Sequence, residues 1–363
     1  GSKARPLWET WRFCATCSFL ERELEEGKGR PACPRCGDSD WTDAGQLKKM
    51  VHFRRARSLE SALEATTVDD DDDRVRIQYD TRHLISVGPE HYHGARVIES
   101  LPFGVELLRD LSLREVNFGP AAGRATTSFE VGGEPIHQDG FLICLDCGRV
   151  KDPKGPPPQN GKEVRHASHC PGAKTGNKEN VSDLLLYREV QSEAIRVLLP
   201  VAELELDTRR ASFQAALELG FRRRFQGNPI HLLIRSIREP IHGRNNGFRH
   251  FLVVFDAVPG GTGYLADLWR ESNFLDVLEL AYKALQACTC QRDEGSGPAR
   301  DGCYRCIYAY QEQHNLPQIS SQMAQSMLQE ILEHRDELKD AKTLSEVELD
   351  SRLESELERK FIE

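Results

Sequence analysis

The sequence His250-Phe-Leu-Val-Val-Phe-Asp256 leads directly into Ala257-Val-Pro-Gly-Gly-Thr-Gly263 and decides the fold of the C-terminal part of the chain. Its apolar run predicts a buried strand, and the glycines predict a turn that needs positive φ. From Tyr264 an apolar periodicity predicts helix as far as the cysteines that begin at Cys288. An earlier apolar run, Ala194–Pro200, predicts another strand that begins after a polar stretch. These elements predict α/β structure in this region.

The glycine turn resembles phosphate-binding loops, in which backbone N–H groups at the start of a helix surround an anion. It lacks the Gly-Lys-Ser/Thr ending of a nucleotide-binding P-loop and the glycine spacing of a dinucleotide site, so we do not expect ATP binding here. Two alternatives stay open: a tight turn without a ligand, which we favour, and contact with a nucleic-acid phosphate. Asp256 is either a carboxylate that caps the turn or a catalytic one, and no catalytic partner is visible in the sequence.

All eleven cysteines fall into three closely spaced clusters. Zinc binds four thiolate or imidazole ligands, and two ligands separated by a pair of residues on a turn can hold one ion together. The predicted ligands are Cys14, Cys17, Cys33 and Cys36 in the first cluster, Cys144, Cys147, His166 and Cys170 in the second, and Cys288, Cys290, Cys303 and Cys306 in the third. We therefore predict three zinc ions per chain, in structural sites, because four protein ligands leave no position for a substrate water.

The histidine ligand of the second cluster has two candidates. We favour His166, because three residues separate it from Cys170, whereas the adjacent His169 is expected to point away. In the third cluster a single residue separates Cys288 from Cys290, which is tighter than the usual spacing.

Disulfides of a secreted protein are the alternative to metal binding. The chain carries no apolar signal segment, and its odd number of cysteines pairs poorly. No apolar run approaches the roughly 20 residues that a membrane-spanning helix needs. We therefore expect reduced cysteines, a cytoplasmic location and no membrane partner.

The net charge of −9 is concentrated in two acidic segments. Asp69–Asp73 is a run of five aspartates, and residues 330–363 hold twelve acidic and six basic residues. Between Arg149 and Lys178, by contrast, seven Lys or Arg residues stand against two acidic ones. Basic loops in zinc modules often meet phosphates, so we predict DNA contacts there, with an ordinary solvated face as the alternative. The residues predicted to contact DNA are Lys151, Lys154, Lys162 and Arg165.

The chain of 363 residues is predicted to be an α+β protein of several modules. The predicted domains are a zinc ribbon over 1–50, a β-rich connector with the acidic loop over 51–141, a zinc-stabilised α/β domain with two zinc sites over 142–325, and an acidic helical tail over 326–363. We expect Trp11, Phe13 and Trp41 to form the small core of the ribbon. Asp207 is expected to cap a helix that runs to Arg224.

The segment Asp256–Tyr264, followed by Cys288-Thr-Cys290 and Gly302-Cys303-Tyr-Arg-Cys306, resembles the MrfA-type zinc-binding (MZB) domain. This domain lies at the C-terminus of many superfamily 2 DNA helicases and of related antiphage-defence proteins. Tyr187–Arg196 and Leu198–Pro200 look like the first part of the same domain, so the resemblance covers roughly residues 140 to 325. It implies a DNA-processing protein, often a 3′-to-5′ helicase in repair or a helicase partner in bacterial antiphage systems.

The chain contains no Walker A lysine, no DEAH-like tetrad and no arginine-finger motif. No catalytic residue is therefore assigned, and the resemblance implies that an ATP-dependent DNA helicase motor lies elsewhere. If the motor belongs to the same parent protein, this is an accessory C-terminal region with contacts to DNA and to the motor domains. If the motor is a separate chain, this is a non-motor adaptor in a defence complex. Ser351–Glu363 also resembles the opening helix of restriction-endonuclease-like domains, although we favour a solvated terminal helix.

Overall fold

The computed structural model describes residues 8–23, 30–52, 79–98, 100–120, 129–150, 168–171, 181–199, 206–240, 248–291, 301–308 and 313–344. The chain divides into two compact units. Unit 1 comprises Gly1–Ser86 and Ser112–Glu189, and unit 2 comprises Val87–Leu111 and Val190–Glu363. Strands occur in both units and α-helices pack on the strands of unit 2, which confirms the predicted α+β class.

In chain order, the strands are β1 (Glu9–Phe13), β2 (Leu20–Arg22), β3 (Leu47–His52), β4 (Tyr79–Ile85), β5 (Tyr92–Ile98), β6 (Phe103–Pro120), β7 (Phe129–Val131), β8 (Glu134–Ile136), β9 (Phe141–Cys144), β10 (Val181–Leu198), β11 (Leu232–Pro240), β12 (Phe248–Asp256) and β13 (Leu338–Ala341). The α-helices are α1 (Leu206–Arg224), α2 (Tyr264–Trp269), α3 (Asn273–Gln286) and α4 (Ser321–Glu333). Short 3-10 helices span Ser39–Thr42, Ala44–Gln46, Pro89–His91, Thr289–Gln291, Gln313–Gln318 and Arg335–Glu337.

Unit 1 is built mainly from antiparallel strand pairs. β1 pairs with β2 and β3, β4 with β6, β7 with β8, and β9 with β10. One ladder is parallel, where Leu185–Tyr187 of β10 lie beside Met50–His52 of β3. Phe13, Phe118 and Phe129 meet in the core, with ring centroids 5.3 to 6.2 Å apart. The core of this unit thus joins strands that are far apart in sequence.

The three aromatic residues predicted to share a small ribbon core are divided between two clusters. Trp41 packs with the cysteines of the first cluster. Trp11 and Phe13 belong to the larger core of unit 1, where Trp11 lies edge-on to Tyr187 at 5.5 Å. The prediction of one shared core is wrong, because residues two apart on β1 face the same side of the strand, and that side is covered by later strands.

Unit 2 arranges its strands in the order β13, β5, β6, β10, β12, β11. β12 lies between β10 and β11 and is antiparallel to both. Its residues Phe251–Phe255 are at most 1% exposed. A strand that is buried on both faces needs apolar side chains at every position, which explains the uninterrupted run and confirms the strand predicted over 250–256.

The four described α-helices share the core of unit 2 with the sheet, and α2 contributes Leu265 and Leu268. Phe213, Leu217 and Phe221 of α1 are buried in this core together with residues of α3 and α4. The helix predicted to reach Arg224 is present, but Asp207 lies within its first turn and does not cap it. A carboxylate in the first turn still interacts favourably with the helix dipole.

The helical pattern that begins at Tyr264 divides into α2 and α3, because the chain leaves the helical conformation at Arg270, with φ −67° and ψ 134°. The tail predicted to be helical over 326–363 also contains a strand. Leu338–Ala341 forms β13, which pairs with β5. Residues 345–363, including Ser351–Glu363, lie outside the described residues. Among the helices that the structure describes, none has the length and apolar character needed to cross a membrane.

Candidate metal centres

The first cluster brings its four predicted ligands together in unit 1. The sulfur atoms of Cys14, Cys17, Cys33 and Cys36 lie within 4.8 Å of one another. The Sγ atoms of Cys14 and Cys36 are 3.5 Å apart, and those of Cys17 and Cys33 are 3.7 Å apart. Three of the four thiols are buried. The site is therefore enclosed by protein and is suited to a structural role.

Cys33–Gly37 and Cys144–Gly148 form the same turn. In each, the glycine N–H donates to the carbonyl of the first cysteine, at 2.8 Å for Gly37 and 2.7 Å for Gly148. The N–H of the first cysteine donates to a carbonyl five residues later, at 2.9 and 3.0 Å. Both glycines have positive φ, +77° and +69°, a conformation that strains other residues. The glycine after Cys-x-x-Cys is the sequence signal for this turn, and it is not among the predicted site residues.

The turn at Cys14 repeats this pattern with serine in place of glycine. Ser18 has φ +58°, and the N–H of Cys14 donates to the carbonyl of Phe19 at 2.7 Å. The N–H of Cys17 also points at the Cys14 sulfur, 3.4 Å away. Backbone N–H groups directed at a sulfur favour its thiolate form, which is the form that binds metal.

The second cluster contributes three thiols among the residues that the structure describes. Cys144, Cys147 and Cys170 group together, with the sulfur atoms of Cys144 and Cys170 3.7 Å apart. His169 is exposed, and the described ligand group does not include it. His166, the favoured fourth ligand, lies outside the described residues. The described part of this site therefore supplies three of the four ligands that zinc needs.

The third cluster lies in unit 2, directly after α3. Sγ of Cys288 is 3.4 Å from that of Cys290 and 3.6 Å from that of Cys303, and Cys306 is 3.7 Å from Cys290. The unusual single-residue gap is accommodated because α3 ends at Gln286 and a 3-10 turn begins at Thr289. Both cysteine pairs therefore converge, as the sequence predicts.

The core of unit 2 supports the third cluster. Cys306 is 2% exposed and, with Ile307, belongs to the core shared by α1, α3 and α4. Gly302 has φ +130°, and a Cβ there would come within 2.7 Å of Ile307 and 2.8 Å of Tyr308. The cluster and the hydrophobic core therefore form one packed assembly, and a change at the cluster should affect the whole core.

The sulfur spacing fits zinc and excludes disulfides. Four sulfurs at 2.3 Å from a tetrahedral ion would lie about 3.8 Å apart, close to the 3.4 to 3.7 Å measured in the third cluster. A disulfide would require about 2.05 Å, and all eleven cysteines are free. The three clusters are thus able to hold metal ions.

The pKa shifts of the thiols in the first and third clusters favour a bound cation. Hydrogen bonds among the thiols, led by that with Cys17, and burial raise the pKa of Cys14 above its ordinary range. The hydrogen bond with Cys14 in turn lowers the pKa of Cys33. In the third cluster, burial raises the pKa of Cys306 to about 11. Four neighbouring thiols cannot all ionise without a compensating positive charge, which a divalent metal would supply.

The glycine turn after β12 is held by Asp256. This carboxylate is 1% exposed and accepts hydrogen bonds from the N–H groups of Val258 and Thr262, at 2.9 and 2.6 Å, and from the Thr262 hydroxyl. The N–H of Gly260 donates to the carbonyl of Gln191 at 3.1 Å. Asp256 therefore caps the turn, which is the first of the two roles considered for it.

Three glycines in this turn adopt the left-handed region. Gly260, Gly261 and Gly263 have φ values of +80°, +76° and +85°. A Cβ added at any of them would meet no atom of the described residues within 4 Å. The glycines are therefore required by the backbone conformation, and not by a neighbour that approaches them.

The predicted DNA contacts are not part of the described structure. Lys151, Lys154, Lys162 and Arg165 all fall in the segment 151–167, which lies outside the described residues. The DNA interface drawn from the sequence therefore stays a prediction.

The fold and the thiol clusters define an α+β protein with sites able to hold metal. Residues 213–307 match the family model of the MrfA Zn-binding domain. The match confirms the resemblance over these residues, which include the four cysteines of the third cluster, and residues 187–200 lie outside it. The crystal structure of the DUF1998 helicase MrfA bound to DNA is similar, with 11% identity and a TM-score of 0.36 over 72% of this chain and 26% of that chain. The alignment thus spans about a quarter of that helicase. No curated protein matches the sequence.

Proposed function

We propose that this chain is an accessory, zinc-stabilised region of a helicase-like ATPase that acts on DNA in repair or antiphage defence. In this role it provides contacts to DNA and to the motor domains, and zinc occupies all three clusters. The observation that carries the proposal is the match to the MrfA Zn-binding domain over residues 213–307, with the third cluster converging inside it. The alternative is a non-motor adaptor that binds a separate helicase in a defence complex.

The two alternatives differ in where the motor lies. The length of the parent gene separates them, because an accessory region requires helicase motifs in the same reading frame. If they are absent, co-purification with a separate helicase chain on gel filtration supports the adaptor. A parent gene without helicase motifs and a chain that binds no helicase would contradict both.

Metal content provides the first prediction. We expect three zinc ions per chain by plasma mass spectrometry, because each cluster supplies a ligand set of the kind that zinc binds. A value near two would identify the second cluster as the misassigned one, since its fourth ligand rests on sequence spacing alone. One ion or fewer would overturn the assignment.

A matched pair of histidine variants tests the second cluster. We expect His166→Ala to lower the zinc content by about one ion per chain, because a site with three protein ligands binds structural zinc poorly. His169→Ala removes the same side chain three residues away and should leave the content unchanged, in keeping with the exposure of His169. The reverse result would make His169 the ligand.

DNA binding by the whole chain tests the functional proposal. We expect weak binding that depends little on sequence and falls steeply between 50 and 200 mM salt, because phosphate contacts release counterions. Replacing Lys151, Lys154, Lys162 and Arg165 together with alanine should weaken binding and flatten the salt dependence. The measurement is fluorescence anisotropy with a labelled duplex and a labelled single strand.

A control with the same change in charge separates local contact from general electrostatics. Arg22, Arg30, Arg109 and Arg270 are exposed, and alanine at all four removes the same charge elsewhere. If both quadruple variants bind alike, the 151–165 loop is an ordinary solvated face. If the unmodified chain binds neither DNA at 50 mM salt, the proposed contact with DNA is wrong.

A further inference from the structure

An open groove of about 470 Å³ lies beside the third cluster in unit 2. It runs between the C-terminal end of α1, one face of α3 and the loop that carries Cys303 and Cys306. Three cationic side chains line it, and among its described lining residues none is acidic. These cations are Arg223, Lys283 and Arg305.

The side chains of the two arginines in the groove are exposed. Arg223 and Arg305 have no hydrogen-bond or ion-pair partner for their guanidinium groups among the described residues. Lys283 differs, because it pairs with Glu279 at 2.5 Å. The groove thus offers two guanidinium groups whose donors are available to a ligand.

The two arginines next to Arg223 at the end of α1 do form ion pairs. Arg222 pairs with Glu218 at 3.7 Å, and Arg224 pairs with Asp267 at 3.4 Å. A basic residue in the last turn of a helix is favoured by the helix dipole, which explains all three arginines equally. The dipole does not explain why the arginine that lines the groove is the one without an acidic partner among the residues that the structure describes.

Neutralisation of the metal site is a second explanation for the cations. Four thiolates around one divalent ion carry a net negative charge, and nearby cations reduce it. Arg305 is suited to this, since its backbone N–H already donates to the Cys303 sulfur at 3.4 Å. Arg223 is supplied by α1, and neutralisation of the cluster does not explain why a second arginine, from a separate element, lines the same groove.

We infer that this groove binds the phosphodiester backbone of a nucleic acid strand through Arg223 and Arg305. Guanidinium groups bind phosphate through paired hydrogen bonds. Ala284 and Ala287 line the groove with small side chains, and Thr289 adds a hydroxyl donor. The groove is open to the surface, so a strand can reach these side chains without entering a closed cavity. The inference rests on the proposed contact with DNA and assigns that contact to described residues.

The experiment compares DNA affinity across salt concentrations for the full chain and two double variants. Arg223→Ala/Arg305→Ala removes the proposed contacts. Arg270→Ala/Lys342→Ala removes the same charge from exposed positions of unit 2 that do not line the groove. We expect the groove variant to bind about 10- to 100-fold more weakly at 50 mM salt and to lower the slope of log K against log salt by about 1.8 for duplex DNA. The control should change little.

Arg305 is adjacent to the predicted metal ligand Cys306, so replacing it can disturb the third cluster. A second variant therefore changes only the arginine on α1. Arg223→Glu lies on α1, outside the cluster loops, and should weaken DNA binding while zinc content and the unfolding midpoint stay unchanged. If the unmodified chain binds DNA and the groove and control variants bind it equally, the groove is not the DNA-binding site, and the proposed contact with DNA still stands. Absence of DNA binding by the unmodified chain would overturn the groove and the proposed DNA contact together.

Discussion

Replacing Cys306 with serine is expected to unfold the core of unit 2. A structural zinc site contributes on the order of 10 kcal/mol to folding, which is comparable to the net stability of a domain. Cys306 is buried within the core shared by α1, α3 and α4, so loss of the ion leaves a polar hydroxyl and unpaired thiols inside it. Far-ultraviolet circular dichroism and urea unfolding should show loss of helix without added denaturant, and zinc content should fall by about one ion.

A neighbouring substitution provides the control. Tyr304 lies in the same loop between two ligands but is 68% exposed, so Tyr304→Ser should keep the zinc content and the unfolding midpoint. A Cys306→Ser protein that retains both properties would contradict a structural role for the third cluster.

The second large effect is expected at a buried ion pair in unit 2. The side chains of Arg196 and Glu106 are fully buried. Nε of Arg196 donates to Glu106 at 2.8 Å, and Nη1 donates to Glu239 at 2.7 Å. Removing one partner of such a pair costs about 3–5 kcal/mol, because an uncompensated charge stays buried. We therefore expect Arg196→Met to lower the free energy of unfolding by that amount, measured by urea denaturation.

A double variant separates the cost of an unpaired charge from the loss of packing. Glu106 also accepts a hydrogen bond from the Leu344 N–H at 3.1 Å, and glutamine can still accept it. Arg196→Met/Glu106→Gln should therefore recover most of the stability lost by the single variant. If the double variant is as unstable as Arg196→Met, the loss comes from the Glu239 carboxylate, which still lacks the Arg196 guanidinium, or from packing of the guanidinium against Phe251, 4.4 Å from its ring centroid.

The grouping of the cysteines was predictable because cysteine spacing is a local signal. Each pair lies on one turn, so residues close in sequence determine its geometry, and even the tight Cys288-Thr-Cys290 pair converges with Cys303 and Cys306. The Arg196–Glu106 pair was not predictable in the same way. Its partners are 90 residues apart, and no periodicity or spacing connects them until the strands are placed side by side.

The extent of β10 shows a second limit of local reasoning. Its apolar run predicts a strand that begins at Ala194, whereas β10 begins at Val181 and includes the polar residues before that run. Arg188 forms an ion pair with Glu115 in unit 1, and Glu193 pairs with Arg109 in unit 2. Cross-strand ion pairs stabilise a polar strand segment, but they require partners that the local sequence does not reveal.

The glycine turn after β12 has a consequence for how such a chain can vary in evolution. Because no described residue would crowd a side chain at Gly260, Gly261 or Gly263, selection at these positions acts on a torsion angle and not on volume. Asparagine tolerates left-handed backbone better than other non-glycine residues, so it is the replacement that related sequences should accept most often. Asp256 holds the turn through both carboxylate oxygens and should be less free to vary than the glycines it supports.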